Sequence, residues 1–358
     1  MNSRVYVIAE AGVNHNGSLE QAIRLVDIAA EAGADAIKFQ SFKTSNTISR
    51  NAPKAEYQIH HTGVSESQYE MVKKLELSET AHLDIRERCR KRKIEFLSTP
   101  FDLWSLDLLL RKCKVQKIKI ASGEITNAPL LLRAAQSGKA IILSTGMSTL
   151  GEVEAALGVL AFGYMGLESK PSNDNFRAAF CSEGGRALLL DRVTLLHCTT
   201  EYPAPYEDVN LRAMDTLASA FGLPVGFSDH TQGIAVPIAA VARGATIIEK
   251  HFTIDRELPG PDHKASLEPK ELAELVGSIR KVEKALGRPI KAPAVSEMKN
   301  TTIARKSLVA ACSIKKGECF TAQNIAIKRP GNGISPMRYW ETIGRTAKRD
   351  YDLDEVID

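Results

Sequence analysis

The sequence predicts a closed parallel α/β barrel followed by a small second domain, and three observations carry that prediction. Short β-branched runs alternate eight times with longer amphipathic stretches over residues 1–287, an order that belongs to β/α architecture rather than to a bundle or a sandwich. Several runs are apolar on both faces, as strands are when helices cover one side and a packed interior fills the other. After Leu286 the alternation stops and a proline-containing stretch begins.

The eight runs occupy 5–11, 36–40, 94–98, 117–121, 140–144, 193–198, 225–228 and 246–251. Between the first two, Ser18 caps a helix whose capping box closes at Gln21, and Gly33 ends it just before the next strand. The same phrase returns in AAQSGKAIIL at 134–143 and AAVARGATIIE at 239–249, where a glycine after an Ala-rich helix leads straight into a strand. Eight such units make a (β/α)8 TIM barrel, usually about 250 residues long. The excess falls in a Gly/Ser/Asn-rich insertion at 163–192, expected to be a surface excursion with little role in chemistry, and in the loop around 41–70. The domains are then a barrel over 1–287, a linker over 288–300 with two prolines and no periodicity, and a small irregular β-rich module over 301–358. A module of that size buries too little surface to be robust by itself and is expected to dock on a barrel.

Composition narrows the function classes. With 44% hydrophobic and 25% charged residues among 358, the chain is neither disordered nor fibrous. No apolar run approaches the ~20 residues of a membrane span, and Glu10 interrupts the first strand before a signal-peptide core could form. Six cysteines without a C-x-x-C pair argue against a zinc cluster or a disulfide framework. These readings place the protein in the cytoplasm, with no membrane partner. The net charge of +4 hides an asymmetry: residues 299–349 hold eleven Lys or Arg against Glu318 and Glu341. An anionic partner would suit that segment. Nucleic acid does not, because the basic residues are dispersed and Tyr339 with Trp340 is the sole aromatic cluster there.

In a β/α barrel the functional groups gather where strands end. Here every strand end is polar: Glu10; Lys38 and Gln40; Ser98, Thr99 and Asp102; Lys119, Ser122 and Glu124; Ser144 and Thr145; His197, Thr200 and Tyr202; Asp229 and His230; Glu249, Lys250 and His251. A buried Lys or Glu must be paired or held against a charged ligand, so eight polar ends are hard to explain as packing. His230 and His251 end neighbouring strands and can face one point, which suits a divalent cation with open positions for water and substrate. Taken singly, each histidine is better explained by an ordinary hydrogen bond, and only the pair at adjacent strand ends brings the metal reading level with it. Lys38 and Lys119 with their hydroxyl neighbours suit a phosphate or carboxylate ligand. A Schiff base on either lysine, or a plain ion pair with Glu10 or Glu124, remains open at this level.

The residues resemble the sialic acid synthases, which condense phosphoenolpyruvate with an N-acylated mannose-type sugar to make nine-carbon ulosonic acids. The resemblance runs through IAEAGVNHNG (8–17), GADAIKFQ (33–40), LSTPFD (97–102), KIASGE (119–124), LSTGM (143–147), HCTTEYPAP (197–205), GFSDHT (226–231), EKHFT (249–253), PGPDHKASL (259–267) and KRPGNG (328–333). It implies that His230 and His251 hold a catalytic Mn²⁺ and that Lys38, Thr99, Lys119, Ser122 and Thr200 hold phosphoenolpyruvate. Some relatives carry Asn where this chain has Thr200. By the same resemblance Gln40, Tyr202 and Asp262 contact sugar hydroxyls, and Glu10 positions or activates water. The C-terminal module resembles the antifreeze-like SAF domain, which in that family covers the barrel mouth of the other subunit of a domain-swapped homodimer, so that Arg329 reaches the sugar's N-acyl group.

The expected acceptor is N-acetylmannosamine, giving N-acetylneuraminate. The alternative is 2,4-diacetamido-2,4,6-trideoxymannose, giving a legionaminic acid. STPFD and ASGE stand closer to both of these branches than to the pseudaminate one. Two more distant readings are an ordinary aldolase on the same barrel and a non-enzymatic sugar- or ice-binding protein.

Overall fold

The computed structural model describes residues 4–55, 59 and 66–358, so part of the 41–70 loop lies outside the described residues. The chain divides into two compact units, Met1–Gly287 and Arg288–Asp358.

The first unit is a (β/α)8 barrel. Its strands are β1 (Tyr6–Gly12), β2 (Ala36–Ser41), β3 (Glu95–Pro100), β4 (Lys117–Ile120), β5 (Ala140–Ser144), β6 (Val193–His197), β7 (Val225–Asp229) and β8 (Ile247–His251). They form one ladder in the order β3-β2-β1-β8-β7-β6-β5-β4. First and last strands pair, with Tyr6 opposite Ile247 and Glu10 opposite His251. β3 and β4 end the ladder, and side chains bridge that seam: Lys117 Nζ lies 2.6 Å from Glu95 Oε2, the Tyr6 hydroxyl donates to the same carboxylate, and the ammonium sits 4.6 Å from the Tyr6 ring.

Alternation along each strand sorts side chains into a helix-facing set and an interior set. Val7, Ala9, Ile37, Phe39, Ile118, Leu143, Leu195, Phe227 and Ile248 join the large core beneath the helices. The interior set is tiered. Tyr6, Glu95 and Lys117 close one end, and an apolar plug of Ile8, Ala36, Leu97, Ile142, Leu196 and Ile247 fills the middle. Next along the strands come Glu10, Lys38, Thr99, Lys119, Ser144, Ser228 and Glu249, all buried. The plug leaves no room at Gly226, where a Cβ would meet the Ile247 carbonyl and the Leu196 side chain.

Helix punctuation follows the chemistry of the caps. Ser18 accepts from the Gln21 amide at 3.2 Å and starts the helix Leu19–Glu31. The 163–192 insertion carries two helices of its own, Asn173–Cys181 and Glu183–Arg192. Two serines of that insertion, Ser172 and Ser182, are the N-caps of those helices. Phe176 packs edge-on against Phe162 of the helix Leu150–Met165, with ring centroids 5.2 Å apart. The last barrel helix, Pro269–Leu286, clasps the first strand: Arg280 donates to the Val5 carbonyl at 2.7 Å and to Asp35 at 2.6 Å.

In the second unit, the helix Val295–Ala304 begins within the stretch read as a linker and runs past its expected end at residue 300. An antiparallel pair follows, β9 (Ser307–Ala310) and β10 (Ile325–Lys328). Leu308, Ala310, Ile314, Phe320, Ile325, Ala347, Tyr351 and Ile357 make its own small core. Among the described residues, no helix is long and apolar enough to cross a membrane.

Candidate active site

The polar tier and the loops beyond it enclose a cavity of about 360 Å³. Eleven of the twelve residues singled out in the sequence line it: Glu10, Lys38, Gln40, Thr99, Lys119, Ser122, Thr200, Tyr202, His230, His251 and Asp262. Strand register accounts for the convergence, since Glu10 pairs with Lys38 on β2 and with His251 on β8, and Gln40 pairs with Thr99. The twelfth, Arg329, follows β10 in the second unit, where its Nε donates to the Ala304 carbonyl at 3.0 Å.

Two ammonium groups and two carboxylates form the floor. Lys38 Nζ lies 2.7 Å from Glu10 Oε2 and 3.7 Å from Glu249 Oε2, and it donates to Thr99 Oγ1 at 3.0 Å. Lys119 Nζ lies 3.3 Å from Glu249 Oε1. Its partner is thus Glu249 rather than the Glu10 or Glu124 considered from sequence. Burial works to raise the Glu249 carboxyl, but Lys119 and Lys38, with a 2.9 Å hydrogen bond from Ser228, hold it down at about 2. Burial wins at Glu10 and raises its carboxyl to about 8 against the pull of Lys38. Burial also lowers Lys119, which Glu249 only partly offsets, whereas at Lys38 the two carboxylates outweigh burial and raise it. With Glu10 drawn toward its neutral form, Glu249 is the firmly ionised carboxylate facing the two lysines, and unspent donors lie beside them. Ser144 Oγ and Thr200 Oγ1 are buried without a hydrogen-bond partner, an arrangement that costs energy until a ligand supplies the acceptor.

At the other side of the floor the His230 and His251 rings stand 5.5 Å apart between centroids. His230 Nδ1 donates to the Thr199 carbonyl at 2.6 Å, which fixes the proton on Nδ1 and leaves Nε2 with its lone pair. His251 Nδ1 is buried without a hydrogen bond, 4.0 Å from Asp262 Oδ2. Burial lowers His230 to about 4 and His251 well below the usual imidazole range, so both rings are neutral, the form that binds metal. Among the described residues no group of three or more His, Cys, Asp or Glu side chains makes a closed metal cage. Two neutral imidazoles with free lone pairs therefore fit a cation whose remaining positions are taken by water and substrate oxygen. Tyr202 lies over His230 with centroids 4.2 Å apart and meets His251 edge-on at 5.7 Å.

Not every polar strand end reaches the cavity. Asp102 caps the helix Leu103–Leu108 through the Ser105 amide at 2.8 Å, Ser98 bonds Ser41, and His197 bonds the Val209 carbonyl. Conversely, Glu249 carries more of the site than its sequence position suggested. It shares a strand face with His251, two residues on, and that alternation was the available signal. An apolar part of the lining also went unread: Val13, Phe42, Met71, Val72, Leu75 and Phe101 line the same cavity, with Phe42 and Phe101 edge-on at 6.3 Å.

Residues 25–291 match the NeuB family and residues 305–357 match the SAF domain. The chain belongs to the NeuB family. It is 52% identical over 99% of both chains to N,N'-diacetyllegionaminic acid synthase of Campylobacter jejuni, and 45% identical to the enzyme of that name from Legionella pneumophila over 95% of this chain and 89% of the relative. A similar solved structure, the N-acetylneuraminic acid (sialic acid) synthetase of Leptospira borgpetersenii in complex with citrate, superposes with a TM-score of 0.67 at 37% identity, covering 84% of this chain and 90% of that one. The second unit is therefore the SAF domain expected from the sequence.

Proposed function

We propose that the protein is a phosphoenolpyruvate-dependent nonulosonic acid synthase whose acceptor is a 2,4-diacetamido-2,4,6-trideoxymannose, so that its product is a legionaminic acid. The observation that carries the acceptor is 52% identity across the whole chain to a diacetyllegionaminic acid synthase. This favours the second acceptor over N-acetylmannosamine. The cavity wall agrees in chemistry: a 6-methyl group and acetyl methyls lose nothing against Val13, Phe42, Met71, Val72, Leu75 and Phe101, whereas a hydroxyl there gives up its water without a partner.

Lys38 and Lys119 take the phosphate and carboxylate of phosphoenolpyruvate, with Ser144, Thr200, Thr99 and Ser122 supplying hydroxyls around them. Ser122 Oγ is already set in place by the Gly146 amide at 3.0 Å. His230 and His251 hold a divalent cation, Mn²⁺ being the expected ion, which polarises the sugar aldehyde when bound. Gln40, Tyr202 and Asp262 orient the open-chain sugar so that its aldehyde carbon meets C3 of phosphoenolpyruvate. The C2–C3 π electrons form the new C–C bond while the aldehyde π bond breaks, leaving C2 electron-poor and an alkoxide that takes up a proton from solvent water. Glu10, with its raised affinity for a proton, takes one from the water that adds at C2. The resulting tetrahedral carbon releases phosphate by C–O cleavage. Arg329, from the SAF domain of a partner subunit in a homodimer, reads the acyl group of the acceptor.

The test is an acceptor panel with phosphoenolpyruvate and Mn²⁺, comparing the two sugars by product mass and kcat/KM. Preference for N-acetylmannosamine would overturn the acceptor, and absence of phosphate release with either would overturn the synthase reading.

A further inference from the structure

Behind the two histidines, on the side away from the cavity, lies an ion pair that the reaction scheme does not use. Strands β7 and β8 run in parallel with Ser228 opposite Glu249 and Asp229 opposite Lys250. Ser228, His230, Glu249 and His251 face the cavity, so Asp229 and Lys250 point into the layer between barrel and helices. Both side chains are completely buried. Lys250 Nζ lies 2.6 Å from Asp229 Oδ2 and also donates to the Thr231 carbonyl. The Asp229 carboxylate in turn accepts from the Thr231 amide at 3.0 Å and the Thr231 hydroxyl at 3.2 Å. The residues before and after His230 are therefore both gripped, and both by a side chain that belongs to the residue before His251.

A buried ion pair is a poor way to gain stability, since apolar side chains of similar volume usually do as well or better in the same space. What it provides is a directed, short, two-ended link with one allowed geometry. The neighbouring strands offer a reason for needing one. His230 stands just past the end of β7, where the ladder no longer holds the backbone, and His251 is the last residue of β8. The turn's other anchors, Ala204 N donating to the His230 carbonyl at 2.9 Å and His230 Nδ1 donating to the Thr199 carbonyl, tie it to the segment after β6, so the Asp229–Lys250 pair is the side-chain link that ties the turn to β8.

We propose that Lys250 and Asp229 form a clamp that sets the spacing of His230 and His251 and thereby the affinity of the pair for a divalent cation, making both positioning residues. The inference rests on the metal reading of the histidines. Its test is direct Mn²⁺ binding to substrate-free protein, read by the loss of the free-ion electron paramagnetic resonance signal, for wild type, Lys250→Arg, Lys250→Met and the double variant Asp229→Asn/Lys250→Met. The double variant leaves no unpaired buried charge and keeps an amide able to bond Thr231, so it preserves the fold if the single one does not. Both Met-containing proteins should bind Mn²⁺ roughly ten-fold more weakly or worse, the usual effect of removing an outer partner of metal ligands. Lys250→Arg should restore part of the affinity, and phosphoenolpyruvate affinity measured separately should change little. Wild-type Mn²⁺ affinity in a folded double variant would overturn the clamp alone. If wild type binds no Mn²⁺, or His230→Ala binds it equally well, the metal reading fails and the clamp falls with it.

Discussion

The carboxylate of Glu249 lies 3.3 Å from the ammonium of Lys119, and the protonation of that buried lysine depends on it. Burial lowers Lys119 and Glu249 is the main group raising it. If the charged amine holds phosphoenolpyruvate as proposed, affinity should fall as pH rises through the lowered lysine pKa. In Glu249→Gln the lysine loses its partner and its pKa drops further. The fall should then begin at lower pH than in wild type, with a loss of about 1.5 to 3 kcal/mol of binding at alkaline pH, the worth of one hydrogen bond to a charged group. Identical pH profiles for phosphoenolpyruvate affinity would count against this coupling.

The two lysines should not be equivalent. Lys119→Met removes a cation whose partner keeps Lys38 and Ser228 nearby, so its main effect should be a raised KM for phosphoenolpyruvate. Lys38→Met leaves Glu10 buried without its 2.7 Å partner, which drives that carboxyl toward its neutral form and should lower kcat as well. Equal effects on kcat and KM in both variants would argue against separate roles.

For the histidines, alanine at either His230 or His251 should abolish turnover without unfolding the barrel, and exhaustive chelation should do the same to wild type. Because burial holds His230 at about 4, protons should not displace the cation at mildly acid pH. Full activity after treatment with EDTA and removal of the chelate would exclude a metal role.

How far the sequence discloses this site depends on which forces act locally. Strand positions and their polar ends are legible because alternation and burial impose them residue by residue, and ten of the lining residues are such strand ends, whereas Asp262, beyond β8, came from the family resemblance alone. The apolar wall is not, since Val13, Phe42, Met71 and Phe101 come from four separate segments and read as ordinary core until folding brings them to one cavity. Lys250 is similar: next to His251 it looks like another cavity cation, and only the strand's two-residue period turns it the other way. The helices at 173–192 are hidden for a different reason, their serine caps being the same residues that mark loops.

Val72→Thr probes the wall with little change in volume. Val72 is half-buried, so the fold should tolerate the hydroxyl. The ratio of kcat/KM for the trideoxy acceptor over N-acetylmannosamine should fall several-fold, within the range of about 1 to 3 kcal/mol that one small group is worth in an apolar pocket. An unchanged ratio would place the discriminating contact elsewhere.

Arg329→Ala should impair use of the sugar far more than binding of phosphoenolpyruvate. Mixing Arg329→Ala with His230→Ala then tests whether sites are shared between subunits. If they are, re-equilibrated mixtures contain one intact site per mixed dimer and recover up to about a quarter of wild-type activity. If each subunit serves itself, no activity returns even when native mass spectrometry shows heterodimers.

The clasp between the last barrel helix and the first strand has a consequence for synthesis. Arg280 and Val5 lie 275 residues apart in the chain yet hydrogen-bond directly, and β1 cannot complete its ladder until β8 exists. During translation the first strand therefore leaves the ribosome with one edge open, and it keeps that edge until nearly the whole barrel has been made. Contacts this distant in sequence form late and slowly, so the nascent barrel presents an unpaired strand for most of its time on the ribosome. Closure is an event of the last helix, and the SAF domain emerges only after the barrel sequence is complete.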